Sequence, residues 1–279
     1  MNEAATLQWA FLSHSGSRKP RNDDSLLCFA SGQEGAEILP SSGFRQLITH
    51  DLVFAVSDGM GGGNAGDIAS SIILEQMKDI IPETFKAAAA GLFPDSIEHL
   101  GHAIRTIHEQ INLTASTSPE HTGMAATLAI AWFTPENLYL ANVGDTRIYR
   151  HRADTLEQLS RDHTAAWGQW KRGELQEIQY RSHPRRAALY EIVGGGFDRV
   201  NPHFAAIPYR PGDQFLICSD GLVDGLWERQ ICAGMSAGAR DCEQAASLLL
   251  NRAIDNSGID DTSLIVITVL DGSKDTTDC

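Results

Sequence analysis

The sequence predicts an α+β fold with antiparallel strand pairing, and three observations predict it. Apolar-rich runs of strand length recur at 52–56, which is uninterrupted, and at 126–133, 138–143, 214–219 and 263–270. The runs at 126–133, 138–143 and 147–151 are joined by short turns, Thr134-Pro135-Glu136-Asn137 and Gly144-Asp145-Thr146, a spacing that means antiparallel hairpins. Between the first strands and this group lie two stretches whose apolar residues recur at threes and fours, the period of helices.

In chain order, 7–12 and 26–30 read as the first two strands. They flank Ser15-Gly16-Ser17-Arg18-Lys19-Pro20-Arg21-Asn22-Asp23-Asp24-Ser25, where cations run into paired carboxylates. That loop is either an Asn-Asp-Asp turn or an anion grip beside acids that hold a metal or its waters. Residues 31–50, with Gly, Ser and Pro, read as a surface loop. The strand at 52–56 stops at Ser57-Asp58-Gly59-Met60-Gly61-Gly62-Gly63, leaving Asp58 at a strand tip among bare backbone. A carboxylate there either binds a metal or caps the helix that begins at Ala65.

Pro82 breaks the pattern of that helix. Asp95-Ser96-Ile97-Glu98 has capping-box spacing, and Ile97, Leu100, Ile104, Ile107 and Ile111 make one face of a long helix, with His102 and His108 off it and solvated. Asp145 lies in a hairpin turn, where turn chemistry is the plain reading. Residues 165–186 carry Trp167, Trp170, Lys171, Arg172, Arg181, His183, Arg185 and Arg186, the one cationic, aromatic-bearing patch of an acidic chain. It is either an amphipathic helix with a solvated face or a mobile flap that guides a phosphorylated partner.

Gly194-Gly195-Gly196 reads as a hinge or tight turn. The strand at 214–219 ends in Ser219-Asp220-Gly221, repeating Ser57-Asp58-Gly59. Two strands that each deliver an Asp at the tip are hard to explain as two unrelated turns. A helix at 241–254, capped by Asp241, and Gly258-Ile259-Asp260-Asp261-Thr262 precede the last strand.

Composition narrows the function classes. At 279 residues the chain buries a full core, read here as one domain over 1–272 with a loose tail at 273–279. A net charge of −14 argues against nucleic acid and anionic membrane as partners. No apolar run approaches the ~20 residues of a membrane span, and 1–25 lack the pattern of a signal peptide. The five cysteines form no CxxC pair, which fits free thiols in the cytoplasm and excludes a zinc site of that type.

Asp58, Asp220 and Asp260 each sit at a strand–loop junction beside Gly or a second Asp. Carboxylate sites without His or Cys select hard divalent cations, Mg²⁺ or Mn²⁺. Two such ions ~4 Å apart hold a bridging water, lower its pKa and let hydroxide attack phosphorus in line. The chain shows no GxSxG, no P-loop and no Cys in an activating context.

With these motifs the chain resembles the metal-dependent PP2C (PPM) serine/threonine phosphatases in their short bacterial form. The likeness runs in family order through Asn22-Asp23-Asp24-Ser25, Asp58-Gly59-Met60-Gly61-Gly62, Leu138-Tyr139-Leu140-Ala141-Asn142-Val143-Gly144-Asp145-Thr146-Arg147, Leu159-Ser160-Arg161-Asp162-His163-Thr164, Leu216-Ile217-Cys218-Ser219-Asp220-Gly221-Leu222 and Asp260-Asp261-Thr262-Ser263. It implies a four-layer αββα sandwich, two antiparallel sheets flanked by helices. It further implies that Asp58 bridges two metal ions, that Gly59 lends a carbonyl, and that Asp220 and Asp260 complete the second ion. Asp145, with Asp220, matches a looser third-metal site. Asp23 and Asp24 match the acidic pair that supports the centre. The segment at about 163–190 matches the family's flap, with Trp170, Arg172, His183 and Arg185 as its substrate-facing candidates.

The chain departs from the family at several points. Lys19, with Arg18 beside it, stands where the phosphate-gripping Arg is usual, and lysine lacks the planar fork. Asp23 replaces a Glu, Gly63 a common His, Met60 the His of eukaryotic members, and Tyr190-Glu191-Ile192-Val193-Gly194 a Thr-Arg-Ala-Leu-Gly run. The expected activity is hydrolysis of phosphoserine and phosphothreonine by a metal-bridging hydroxide, with a metal-bound water or His163 protonating the leaving alkoxide. The alternative is a phosphoprotein-binding regulatory module with weak or no catalysis. A nucleotide or small phosphate is disfavoured as substrate because no base-stacking motif accompanies the Asp set. By resemblance the partner is a phosphorylated kinase or its target, and the enzyme a monomer.

Overall fold

A computed structural model describes residues 5–18, 21–61, 65–89, 96–239 and 241–270. Strands β1 (Thr6–His14) and β2 (Asp24–Gly32) are followed by β3 (Gly35–Ile38), β4 (Ser42–Gln46) and β5 (Asp51–Met60). Helices α1 (Ala65–Ala89) and α2 (Ser96–Thr117) come next. Then come β6 (Ala125–Ala126), β7 (Leu128–Phe133), β8 (Asn137–Val143), β9 (Arg147–Arg152) and β10 (Thr155–Gln158). Short helices α3 (Ala165–Lys171) and α4 (Glu177–Arg181) lead to β11 (Val193–Gly194), β12 (His203–Pro208) and β13 (Gln214–Cys218). Helices α5 (Asp220–Gly225), α6 (Glu228–Ala237) and α7 (Cys242–Asn256) precede β14 (Thr262–Leu270).

The strands form two antiparallel sheets. One runs β10-β9-β13-β14-β1-β4; the other has β5 at its centre, with β2 and β3 on one side and β7, β8 and β12 on the other. Period-two alternation explains why β5 is apolar throughout: Leu52, Phe54 and Val56 face the opposite sheet, while Val53 and Ala55 face the helices. Between the sheets Phe54, Phe133 and Phe215 meet edge-on, with centroids 5.9 and 5.2 Å apart along the row. Each such buried ring contributes roughly 1.5–3 kcal/mol. Helices α1 and α2 cover the outer face of the β5 sheet, and α5, α6 and α7 that of the β14 sheet. The expected αββα sandwich is what forms.

Several local expectations are corrected. Residues 31–50 are not all loop: β3 pairs with β2, and β4 pairs with β1 at the edge of its sheet. Their side chains are largely exposed, so no buried apolar pattern marks them. Pro82 lies inside α1 rather than ending it. The stripe Ile73, Met77 and Ile81 is buried up to that point, so packing outweighs the missing donor. Asp95 falls outside the described residues. His102 is exposed as expected, but His108 is buried, its Nε2 2.8 Å from the Phe197 carbonyl and its Nδ1 accepting from Gly194 N–H at 3.1 Å. No helix among the described residues is long and apolar enough to cross a membrane.

Candidate active site

Asp58 is not at a strand tip. β5 continues to Met60 because Gly59 and Met60 pair with Ala126 and Ala125 of β6. On the opposite edge Asp24 of β2 is the direct partner of Asp58. Thr127, the residue between β6 and β7, holds the Asp58 main chain from both sides. Its N–H donates to Asp58 O at 2.8 Å, and its Oγ1 accepts from Asp58 N–H at 3.0 Å. Ser57 Oγ donates to Thr127 O at 2.7 Å. A side chain at Gly59 is impossible: a Cβ would lie 2.0 Å from Gly66 O, so only glycine lets the start of α1 close on this strand. The first turn of α1 takes its side-chain bond from Asp67, which accepts from Ile68 N–H.

The other acids arrive from the second sheet and from a hairpin. Asp220 opens α5 directly after β13, and Asp260 precedes β14. A Cβ on Gly221 would lie 2.1 Å from Asp261 O, so the two acid-bearing loops are in backbone contact. Ser219 stitches the sheets together: its Oγ donates to Asp24 Oδ2 at 2.7 Å and accepts from Ser263 N–H at 3.0 Å. Asp145 follows Gly144, whose φ of +95° suits glycine. Gly144 N–H donates to His163 Nδ1 at 3.0 Å and His163 N–H returns to Gly144 O at 2.9 Å.

Burial, and after it repulsion between neighbours, holds the pKa of Asp24, Asp58, Asp145 and Asp220 up. Burial comes first for Asp58, followed by repulsion from Asp24, Asp220, Asp145 and Asp260, and its carboxyl stands well above the usual range. Asp145 is raised by burial and then by Asp220 and Asp162. Asp24 is pushed to about 7, chiefly by burial. Asp220 is pushed to about 6 by burial and Asp260, with Arg186 and Arg147 opposing. Asp24 Oδ1 is buried with no hydrogen-bond partner. Asp58, Asp145, Asp220 and Asp260 are only half-buried, so they keep an open side.

Among the described residues no three His, Cys, Asp or Glu side chains already make a closed metal-binding group. The acids share a field rather than a finished cage. A cluster of mutually repelling carboxylates with an orphaned buried oxygen nonetheless fits hard divalent cations, which supply the missing counter-charge.

Of the remaining expected site residues, Lys19 lies outside the described residues. Arg18 is exposed, and its N–H donates to Ile259 O at 3.0 Å. Asp23 is buried; its carbonyl accepts from Gly59 N–H at 3.1 Å and from Ser70 Oγ at 2.7 Å. The 163–190 segment is anchored, not a loose lid. Thr164 bridges to Leu189, and Tyr180 is buried against the Arg147–Asp162 ion pair. Trp170 stacks on Tyr180 with centroids 4.7 Å apart, so it braces the segment. Arg172 pairs with Glu174 in solvent, and His183 Nδ1 accepts from Arg185 N–H at 3.2 Å. The cation this segment sends toward the acids is Arg186, which pairs with Asp224 of α5. Sequence reading named Ser219, Asp261 and Arg186 only as members of motifs, with no role of their own, and gave Thr127 none. Only Thr127 leaves a local trace, as the polar residue inside an apolar run.

Comparison with known proteins agrees with this architecture. The family model described as Protein phosphatase 2C matches residues 41–249. The serine/threonine phosphatase stp of Listeria welshimeri is 30% identical over 216 residues, covering 77% of this chain and 83% of that protein. The PPM Ser-Thr phosphatase MsPP from Mycobacterium smegmatis, solved in complex with cacodylate, is 27% identical with a TM-score of 0.72, over 94% of this chain and 98% of that one. The catalytic domain of serine threonine protein phosphatase PstP, solved with 2 manganese ions, has the same fold at 23% identity and a TM-score of 0.73, over 96% of this chain and 100% of that one. The chain belongs to the protein phosphatase 2C family.

Proposed function

We propose that this chain is a serine/threonine protein phosphatase that works with Mg²⁺ or Mn²⁺. The observation that carries the reading is the meeting of Asp24, Asp58, Asp145 and Asp220 from both sheets, each carboxyl raised by burial and by its acidic neighbours, with Asp260 among those neighbours. Asp58, the Gly59 carbonyl, Asp220 and Asp260 hold two cations, and Asp145 beside Asp220 serves a third. Two is also the number of manganese ions in the PstP catalytic domain. Such cations, when bound, neutralise phosphoryl charge and make water a nucleophile at neutral pH.

The chain's own residues position and hold. Thr127 and the β2 pairing fix Asp58; Ser219 fixes Asp24. Arg18 and Lys19 offer charge to the phosphoryl oxygens. His163 spends Nδ1 on Gly144 N–H, so it keeps the Asp145 turn in place, and burial holds its pKa down. Among the described residues burial raises the thiol pKa of Cys28, Cys218, Cys232 and Cys242, that of Cys218 to about 12, which disfavours a thiolate nucleophile. The substrate is a phosphorylated protein, a kinase or a kinase's target, met by a monomer in the cytoplasm, where the free thiols of Cys28, Cys218 and Cys242 persist.

The test is phosphate release from phosphoserine and phosphothreonine peptides with Mn²⁺, against an Asp58→Asn control. Equal rates in the two proteins reject the proposal.

A further inference from the structure

Asp261 has an exposure of 4%, and both of its carboxylate oxygens are engaged. Oδ1 accepts from Gly16 N–H at 2.8 Å and Oδ2 from Asp23 N–H at 2.7 Å. Gly16 and Asp23 bracket the cationic loop, so one side chain closes that loop at both ends. Ser17 N–H and Arg18 N–H donate to the carbonyls of Gly258 and Ile259, both at 3.0 Å, laying the first limb along the Asp260 loop. The fit leaves no slack. A Cβ on Gly16 would lie 2.3 Å from the Asp260 carbonyl carbon. Asp261 N–H in turn donates to Asp260 Oδ1 at 3.1 Å.

We propose that Asp261 is a positioning residue of the phosphatase: it fixes the limb that carries Arg18, and the Asp23 end of the same loop, against the Asp260 loop. This rests on the phosphatase reading above. An ionised carboxylate accepts two N–H groups, one per oxygen, in short charge-assisted bonds. An asparagine has the same shape but turns an –NH₂ toward one of the two donors, so one end of the loop must let go. Phosphoryl affinity then falls because the limb that carries Arg18 is no longer held, while the Asp261 N–H bond to Asp260 Oδ1, made by the main chain, is kept.

The experiment compares Asp261→Asn and Asp261→Ala with the wild-type chain. In metal-free protein, hydrogen exchange at the Gly16 and Asp23 amides becomes at least about tenfold faster, at one site in the Asn variant and at both in the Ala variant, with the β14 interior unchanged. With Mn²⁺, the inhibition constant of inorganic phosphate and the KM for a phosphopeptide rise together by about tenfold. The kcat stays within about threefold and the Mn²⁺ midpoint does not move. Unchanged exchange at both amides overturns the proposal. So does a shifted Mn²⁺ midpoint with unaltered phosphate inhibition, which makes Asp261 a metal ligand instead. If the Ala variant does not fold, the Asn variant alone decides. Absence of turnover in the wild-type chain sinks the phosphatase reading by itself, and the exchange measurement still judges the clamp.

Discussion

Asp24 and Asp58 face each other as direct cross-strand partners on adjacent antiparallel strands. Like charges so placed repel. Burial is the larger effect, holding Asp24 at about 7 and Asp58 well above the usual range, and for Asp58 the repulsion from Asp24 comes next. The fold therefore carries a local instability that a proton relieves at low pH and a cation relieves at neutral pH. Sheet register creates this relationship, and the activity proposed above depends on it.

The first prediction concerns pH and metal. Between the ordinary carboxyl value of 3.8 and the raised value of about 7 for Asp24, the folded chain binds more protons than the unfolded one. Stability of the metal-free protein therefore falls as pH rises through that window, and the loss is complete above it. The Tm of metal-free protein should drop by roughly 5–10 °C between pH 5 and pH 8, on the order of a few kcal/mol. Saturating Mn²⁺ should flatten or reverse the trend. Thermal scans that rise with pH in chelator, and gain nothing from Mn²⁺, would count against a cation site at this pair.

Asp58→Asn should move stability and activity in opposite directions. Removing one charge from the cluster relieves repulsion on Asp24 and leaves the Thr127 backbone bonds in place. The metal-free variant should melt higher than wild type by a few degrees, while kcat falls by at least about a hundredfold. A variant that loses activity and melts lower has been damaged in its fold, and the repulsion argument then fails.

The strands that carry the acids were legible because each is buried on both faces and so reads as a continuous apolar run. Ser57-Asp58-Gly59 and Ser219-Asp220-Gly221 mark where those runs meet the site. The register that puts Asp24 opposite Asp58 was not legible, because strand pairing is set by contacts across the sheet and not by either strand alone. The edge strands β3, β4, β10 and β12 were missed for a related reason: with one side open they mix exposed and half-buried residues and lose the apolar signal. His108 was read as solvated because periodicity alone cannot see the Gly194 and Phe197 backbone that folds over it. The role of Asp261 was not legible beyond its place in the motif, because its two acceptor bonds reach more than 200 residues along the chain, at separations of 245 and 238.

Thr127→Val tests whether the main chain of Asp58 needs its hydroxyl. Valine keeps the shape and strands Asp58 N–H without an acceptor, since Thr127 Oγ1 is its partner at 3.0 Å. A stranded donor in a largely buried position costs about 1–3 kcal/mol. Urea midpoints should shift accordingly, and kcat should fall about tenfold as Asp58 loses its fixed orientation. Serine at the same position, which restores the oxygen, should recover most of the rate. If valine and serine behave alike, the hydroxyl is not what holds Asp58.

The anchoring of the 163–190 segment gives the last prediction. Arg147 donates to Asp162 through Nε at 3.0 Å and Nη2 at 2.6 Å, and to Tyr180 through Nη2 at 2.6 Å. The ion pair is fully enclosed, so deleting one partner strands the other charge. Asp162→Ala should cost about 3–5 kcal/mol in global stability. Tyr180→Phe removes only the hydroxyl that ties α4 to the pair and should cost about 1–2 kcal/mol. Its effect should be local: the segment detaches while the two sheets stay closed. Limited trypsinolysis should then cut the Tyr180→Phe chain faster at Arg172, Arg181 and Arg185 at a temperature where its circular dichroism is unchanged. Should cleavage there speed up only as the whole protein melts, Tyr180 is part of the global core and the segment has no independent opening.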